Sequence, residues 1–170
     1  MKETYNAISA RGGKTAVCVI SLGAEGVDWN GPDRAVKALQ DGGCVVVKAG
    51  GDVGKDSCNF TPARAPEGLT VAILDRNGQS LTYYSNTGRC IHLAAPGHEI
   101  VSASHRGGFT TRSGSSFAAP HVAGAAALIL GQEPWLKPQQ VVDRILSRAS
   151  HGVLGGDLKG TPNRVVYVRP

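Results

Sequence analysis

The sequence predicts a single α/β domain over residues 1–170, built on a parallel sheet. Three observations carry that expectation. Short β-branched runs alternate with helical patterns, the order that gives right-handed parallel crossovers. Residues 116–131 are almost purely apolar and read as a helix buried all round in the middle of a domain. The composition, 41% hydrophobic and only 18% charged over 170 residues, allows a core and excludes a disordered polar chain.

The elements follow in chain order. Residues 2–13 read as a frayed helix end leading into Gly12-Gly13. Residues 16–22, Ala-Val-Cys-Val-Ile-Ser-Leu closed by Gly23, read as a buried strand. Residues 32–40 read as a helix, with Pro32 in its first turn and Gly42-Gly43 after its end. Residues 44–48 and 69–74 read as two more buried strands, and residues 90–93 and 99–102 as short strands around an Ala95-Pro96-Gly97 turn. Pro120 inside the long helix is expected to be tolerated because amides near a helix start lack partners anyway. Residues 138–149 form an amphipathic helix, with Val141, Val142, Ile145 and Leu146 on one side, and residues 164–168 a closing strand.

Several function classes are excluded by what the chain lacks. No apolar stretch of about 18 residues suits a transmembrane helix. The net charge of +5 is scattered, without the basic run expected of a nucleic-acid surface. The first residues have no signal-peptide character, and this is the first hint that the start is missing. The four cysteines show no zinc spacing. Cys18 and Cys44 lie in apolar runs and read as buried thiols, whereas Cys58 and Cys90 lie in turn-rich segments where a disulfide fits.

The chemistry concentrates in residues 113–128, Ser-Gly-Ser-Ser-Phe-Ala-Ala-Pro-His-Val-Ala-Gly-Ala-Ala-Ala-Leu. A serine in the first turn of a buried helix brings its hydroxyl and its own N–H to one spot, where free amides and the helix dipole favour an oxyanion. The segment resembles the serine signature of subtilisin-like serine proteases, Gly-Thr-Ser-x-Ala-x-Pro-His-Val-Ala-Gly, with Ser116 at the nucleophile and Ser115 where Thr is usual. The bland alternative is a structural α/β domain whose alanine-rich core helix has a serine cap. Further segments resemble the proteinase K and aqualysin subgroup of this family (peptidase family S8). These are Val19-Ile20-Ser21-Leu22-Gly23, Cys58-Asn59-Phe60-Thr61-Pro62-Ala63-Arg64, Tyr84-Ser85-Asn86-Thr87-Gly88-Arg89-Cys90 and Thr161-Pro162-Asn163-Arg164.

The resemblance implies a three-layer subtilisin-like fold whose N-terminal strands are missing, the chain being the C-terminal portion of a catalytic domain. It implies a Cys58–Cys90 disulfide and a secreted enzyme. Ser116 would be the nucleophile, and its backbone N–H an oxyanion donor. Ser21, Leu22, Gly23, Lys48, Ala49 and Gly50 would hold a polypeptide substrate or inhibitor by β-augmentation.

The departures matter as much. The family's Asp and His precede the strand at 16–22, so this chain is expected to lack both, and none of His92, His98, His105, His121 and His151 stands at the base position. Asp52-Val53-Gly54 mimics the Asp turn but follows the second strand. Gly51 replaces the Asn whose side chain donates to the oxyanion, and losing one such donor typically costs ~10²–10³ in rate, on a measurement made in a subtilisin. Lys48 replaces a small residue on the wall of the substrate pocket. The family's calcium site uses an Asp where His92 stands and carbonyls of the turn at Ala65-Pro66-Glu67-Gly68, so no cofactor or metal is expected. The strand at 16–22 should show an open apolar edge, which a missing N-terminal segment or pro-segment would cover. The expected activity is a serine endopeptidase by family, inactive as this chain alone. The alternative is a pseudoprotease that binds peptides or proteins.

Overall fold

The computed structural model describes residues 2–168 except 11, 13 and 27. In chain order these fold as α1 (Lys2–Ser9), β1 (Ala16–Ile20), β2 (Ala24–Glu25), α2 (Gly31–Asp41), β3 (Cys44–Ala49), β4 (Phe60–Thr61) and β5 (Leu69–Leu74). There follow β6 (Leu93–Pro96), β7 (Ile100–Ala103), β8 (Phe109–Arg112), α3 (Ser115–Gln132), α4 (Pro138–Arg148), β9 (Ser150–His151) and β10 (Arg164–Val165). Of the expected 2–13 helix, residues 2–9 are helical, and Gly13 lies outside the described residues.

The main sheet has the order β1-β3-β5-β6-β10-β9. Its strands run parallel from β1 to β10, and β9 is antiparallel at the far edge. β3 and β5 are buried along their whole length, which explains why they are apolar throughout except at Lys48 and Thr70. The pleat sorts their side chains into two layers. Val45, Val47, Leu69, Val71, Leu93 and Ala95 pack against α3 and α4. Cys44, Val46 and Ile20 face the other way, onto Val36 and Leu39 of α2. Helix, sheet and helices make the expected three layers.

Four sequence expectations change. Helix α3 is not buried all round: Pro120, His121, Gly124, Ala127 and Leu128 lie exposed, Leu128 at 57%. An all-apolar helix has no polar face to mark the side that faces water, so its sequence could not show this. Cys18 and Cys44 are not thiols but a disulfide, with Cα atoms 6.1 Å apart. Ala16 pairs with Cys44 and Cys18 with Val46, so the two cysteines sit diagonally on neighbouring parallel strands, on the same face. The expected Cys58–Cys90 bridge is present, with Cα atoms 5.2 Å apart. Pro120 lies beyond the first turn, so the amide it lacks would have bonded the Ser116 carbonyl. Ala95 and Pro96 belong to β6 rather than to a turn.

β1 forms the edge of the sheet, with Val19 43% exposed. Beyond it β2 pairs antiparallel with β4, Ala24 opposite Thr61 and Glu25 opposite Phe60. Asp33 of α2 holds the same corner by accepting from Thr61 Oγ1 at 2.6 Å and Arg64 Nε at 2.7 Å. These links place residues 21–23 beside the 60–63 segment.

Candidate active site

The site forms where α3 begins. Gly114, at φ 149°, ψ 161°, turns the chain into the helix, and a Cβ there would fall 2.7 Å from Asp52 Oδ2. Asp52 supplies the cap. Its Oδ1 accepts from Ser115 N at 2.8 Å and from Ser115 Oγ at 2.5 Å. Ser115 Oγ in turn accepts from Gly51 N at 3.0 Å. A carboxylate at a helix N-terminus satisfies an orphan amide and complements the dipole. Sequence reasoning took Asp52 for a misplaced copy of a catalytic turn; its place here is the α3 cap.

Ser116 is the second residue of α3 and half-buried. Its Oγ donates to Ser21 O at 3.1 Å, and Ser21 Oγ donates back to Ser116 O at 3.2 Å. That carbonyl is free to accept because Pro120, four residues on, has no N–H.

A cleft of about 310 Å³ lies before Ser116, lined among others by Leu22, Gly23, Ala49, Gly50 and Gly51. The structure thus gathers four of the six expected substrate-binding residues, Leu22, Gly23, Ala49 and Gly50, at one opening. Ser21 reaches the site through its bonds to Ser116. Lys48 is the exception. It is fully buried and turned away from the cleft, its Nζ donating to Ala65 O and to Glu67 O, the latter at 2.7 Å. Alternation along β3 sends it to the side of Cys44 and Val46, while Val45 and Val47 face α3.

Gly51 has φ +108°, and a Cβ there would stand 2.8 Å from Asn86 Cγ. Asn86 is fully buried and organises the rim. Its Nδ2 donates to Gly50 O at 3.1 Å, and its Oδ1 accepts from Val53 N at 3.2 Å and Lys55 N at 3.1 Å. Only the segment Tyr84-Ser85-Asn86 hinted at this role in the sequence.

Four of the five histidines have other partners. His92 Nδ1 accepts from Thr70 N at 3.0 Å, and burial together with the charges of Lys48 and Arg164 holds its pKa down to about 4. His98 Nδ1 pairs with Tyr84 Oη at 2.6 Å, His121 Nδ1 with Phe117 O at 2.9 Å, and His151 Nε2 with Leu146 O at 3.3 Å. Among the described residues no histidine bonds Ser116. Among the described residues the site therefore presents a serine hydroxyl at a helix N-terminus beside a cleft, with no histidine bonded to that hydroxyl.

Comparison with known proteins shows the family. The subtilase family, Peptidase_S8, matches residues 1–165. The chain is 40% identical over 135 residues to alkaline serine exoprotease A of Vibrio alginolyticus, covering 79% of this chain and 25% of that protein. It is 37% identical over 156 residues to an extracellular serine proteinase of Thermus sp. (strain Rt41A), covering 91% of this chain and 37% of that protein. A cold-adapted subtilisin-like serine proteinase of known structure superposes with a TM-score of 0.86 at 37% identity, covering 96% of this chain and 58% of that one. A psychrophilic protease, S41, gives a TM-score of 0.87 at 26% identity, covering 98% of this chain and 61% of that one. The chain thus spans less than two thirds of each of these relatives.

Proposed function

The chain belongs to the subtilase family, and on that footing we propose that it is the part of a serine endopeptidase that bears the nucleophile and holds the substrate, inactive by itself. The observation that carries this reading is Ser116 Oγ. It stands at the start of α3 on the expected cleft, yet its hydroxyl proton goes to the Ser21 carbonyl rather than to a base. With a base supplied, Ser116 would attack a peptide carbonyl and pass its proton to that base. The Ser116 N–H would bind the oxyanion, the amine would leave with a proton, and water would then release the acid. Ser21–Gly23 and Ala49–Gly50 would pair with the substrate backbone.

A missing N-terminal segment is the proposed partner. The exposed apolar face of α3 and the open edge of β1 support it, since both would be covered by more of the same domain. Two disulfides, and a relative named as extracellular, support secretion. Among the described residues no helix is long and apolar enough to cross a membrane.

One observation favours the second reading, a pseudoprotease. Asp52 places a carboxylate on the Ser115 amide, next to the donor meant for an oxyanion, and Gly51 offers no side-chain donor. An anion there opposes charge developing on the substrate.

Labelling with a fluorophosphonate probe tests the proposal, with Ser116→Ala as control. The folded chain alone should not label, and adding the Asp- and His-bearing part of a related catalytic domain should restore labelling. Ser116-dependent labelling of the chain alone would refute its inactivity. Continued silence after complementation, with peptide binding intact, would select the pseudoprotease.

A further inference from the structure

A polar row crosses the otherwise apolar sheet. Lys48 of β3 pairs in register with Thr70 of β5, and Thr70 exchanges backbone and ring hydrogen bonds with His92 just before β6. Lys48 and Thr70 are fully buried. The 63–68 turn lies over this row and directs alternate carbonyls into it. Ala63 O accepts from Thr70 Oγ1 at 2.7 Å, while Ala65 O and Glu67 O accept from Lys48 Nζ. Gly68, at φ +72°, lets the turn press onto β3, for a Cβ there would fall 2.9 Å from the Val46 carbonyl carbon.

Inward carbonyls in a buried turn need either a hard cation or strong donors. The family resemblance implies calcium here, held by the turn and an acidic side chain at position 92. The residues present do not fit it. Lys48 Nζ already takes two of the carbonyls, and position 92 is an imidazole whose Nδ1 is engaged by Thr70 N. Among the described residues no group of three or more His, Cys, Asp and Glu is placed to hold a metal. We propose that the Lys48 amino group takes the place of a metal ion under the 63–68 turn, making this turn independent of calcium. Burial lowers its pKa to about 7, while the charges of Glu67 and Asp33 act to raise it, and both the protonated and the neutral amine can donate to these carbonyls.

The inference does not depend on whether Ser116 turns over, and its test reads structure rather than activity. Thermal midpoints of the chain are measured in EDTA and in millimolar calcium, alongside the amide NMR signals of Glu67, Gly68 and Leu69. The wild type should show the same midpoint in both, with no saturable shift of those amides. Lys48→Met should lower the midpoint by roughly 5–15 °C, because two carbonyls lose their donors. Lys48→Ala combined with His92→Asp should gain a calcium-dependent rise and calcium-dependent shifts at 67–69. A saturable calcium shift at these amides in the wild type would overturn the proposal. So would a Lys48→Met midpoint equal to wild type, or a folded double variant blind to calcium. The wild-type comparison decides even if a variant fails to fold.

Discussion

Ser116 and Ser21 hold each other by a reciprocal pair of bonds: the hydroxyl of each donates to the carbonyl of the other, at 3.1 and 3.2 Å. The pair ties the start of α3 to the chain leaving β1, across a sequence separation of 95. Its bond to the Ser116 carbonyl is open because Pro120 leaves that carbonyl without its helical partner.

Ser21→Ala should therefore cost about 0.5–1.5 kcal/mol, since the Ser116 carbonyl loses its donor. Pro120→Ala supplies an N–H in the helix and should reduce that cost when combined with Ser21→Ala. Urea midpoints of the four proteins in this cycle measure the coupling. Strict additivity would show that the proline and the serine do not share the carbonyl.

Gly51→Asn, which restores the side chain seen in the resembling family, should not restore an oxyanion donor. The added Cβ meets Asn86, and the φ of +108° disfavours any side chain. A loss of about 1–3 kcal/mol is expected, with no gain in fluorophosphonate labelling of a complemented enzyme. Increased labelling would mean that the rim reorganises more easily than the buried Asn86 suggests.

Opening the Cys18–Cys44 disulfide with paired serine substitutions should destabilise the chain by about 3–4 kcal/mol in the chain-entropy account of a loop with sequence separation 26. Denaturant unfolding gives the value directly. Mass spectrometry of the alkylated native chain should find neither cysteine free.

Stability should rise with pH in two windows. Lys48 titrates at about 7 when folded, against 10.5 ordinarily, because burial penalises its charge. Between these values the unfolded chain carries a proton that the folded chain lacks, so raising the pH favours folding; below about 7 both carry it and the contribution is flat. His92, lowered from 6.5 to about 4 by burial and then by Lys48, has the same sign between those two values. Urea midpoints across pH 4–10 should lose the upper rise in Lys48→Met and the lower rise in His92→Gln. An unchanged upper slope in Lys48→Met would assign it to another group.

The apolar period made much of the fold readable. Helix α2, strands β3 and β5 and helix α4 fall within a residue or so of expectation, because full burial of a strand and one-sided burial of a helix each leave a local pattern. The β7–β8 hairpin was only half seen. Its strands are mostly exposed, and Phe109–Arg112 carries no apolar alternation.

By itself the sequence determined the α/β class, the family resemblance and the placing of Ser116 at a helix start. Each of these is written in contiguous residues, as a run, a period or a motif; the Cys58–Cys90 pairing, 32 positions apart, came only as what the resemblance implies. Only the tertiary structure decided that Cys18 meets Cys44, that Lys48 turns from the cleft to the 63–68 turn, that Asp52 caps α3 and that Ser21 grips Ser116. Those relations join residues far apart in the chain, brought together by parallel crossovers. Strand register and the packing of turns onto the sheet set them, and neither leaves a trace in local sequence.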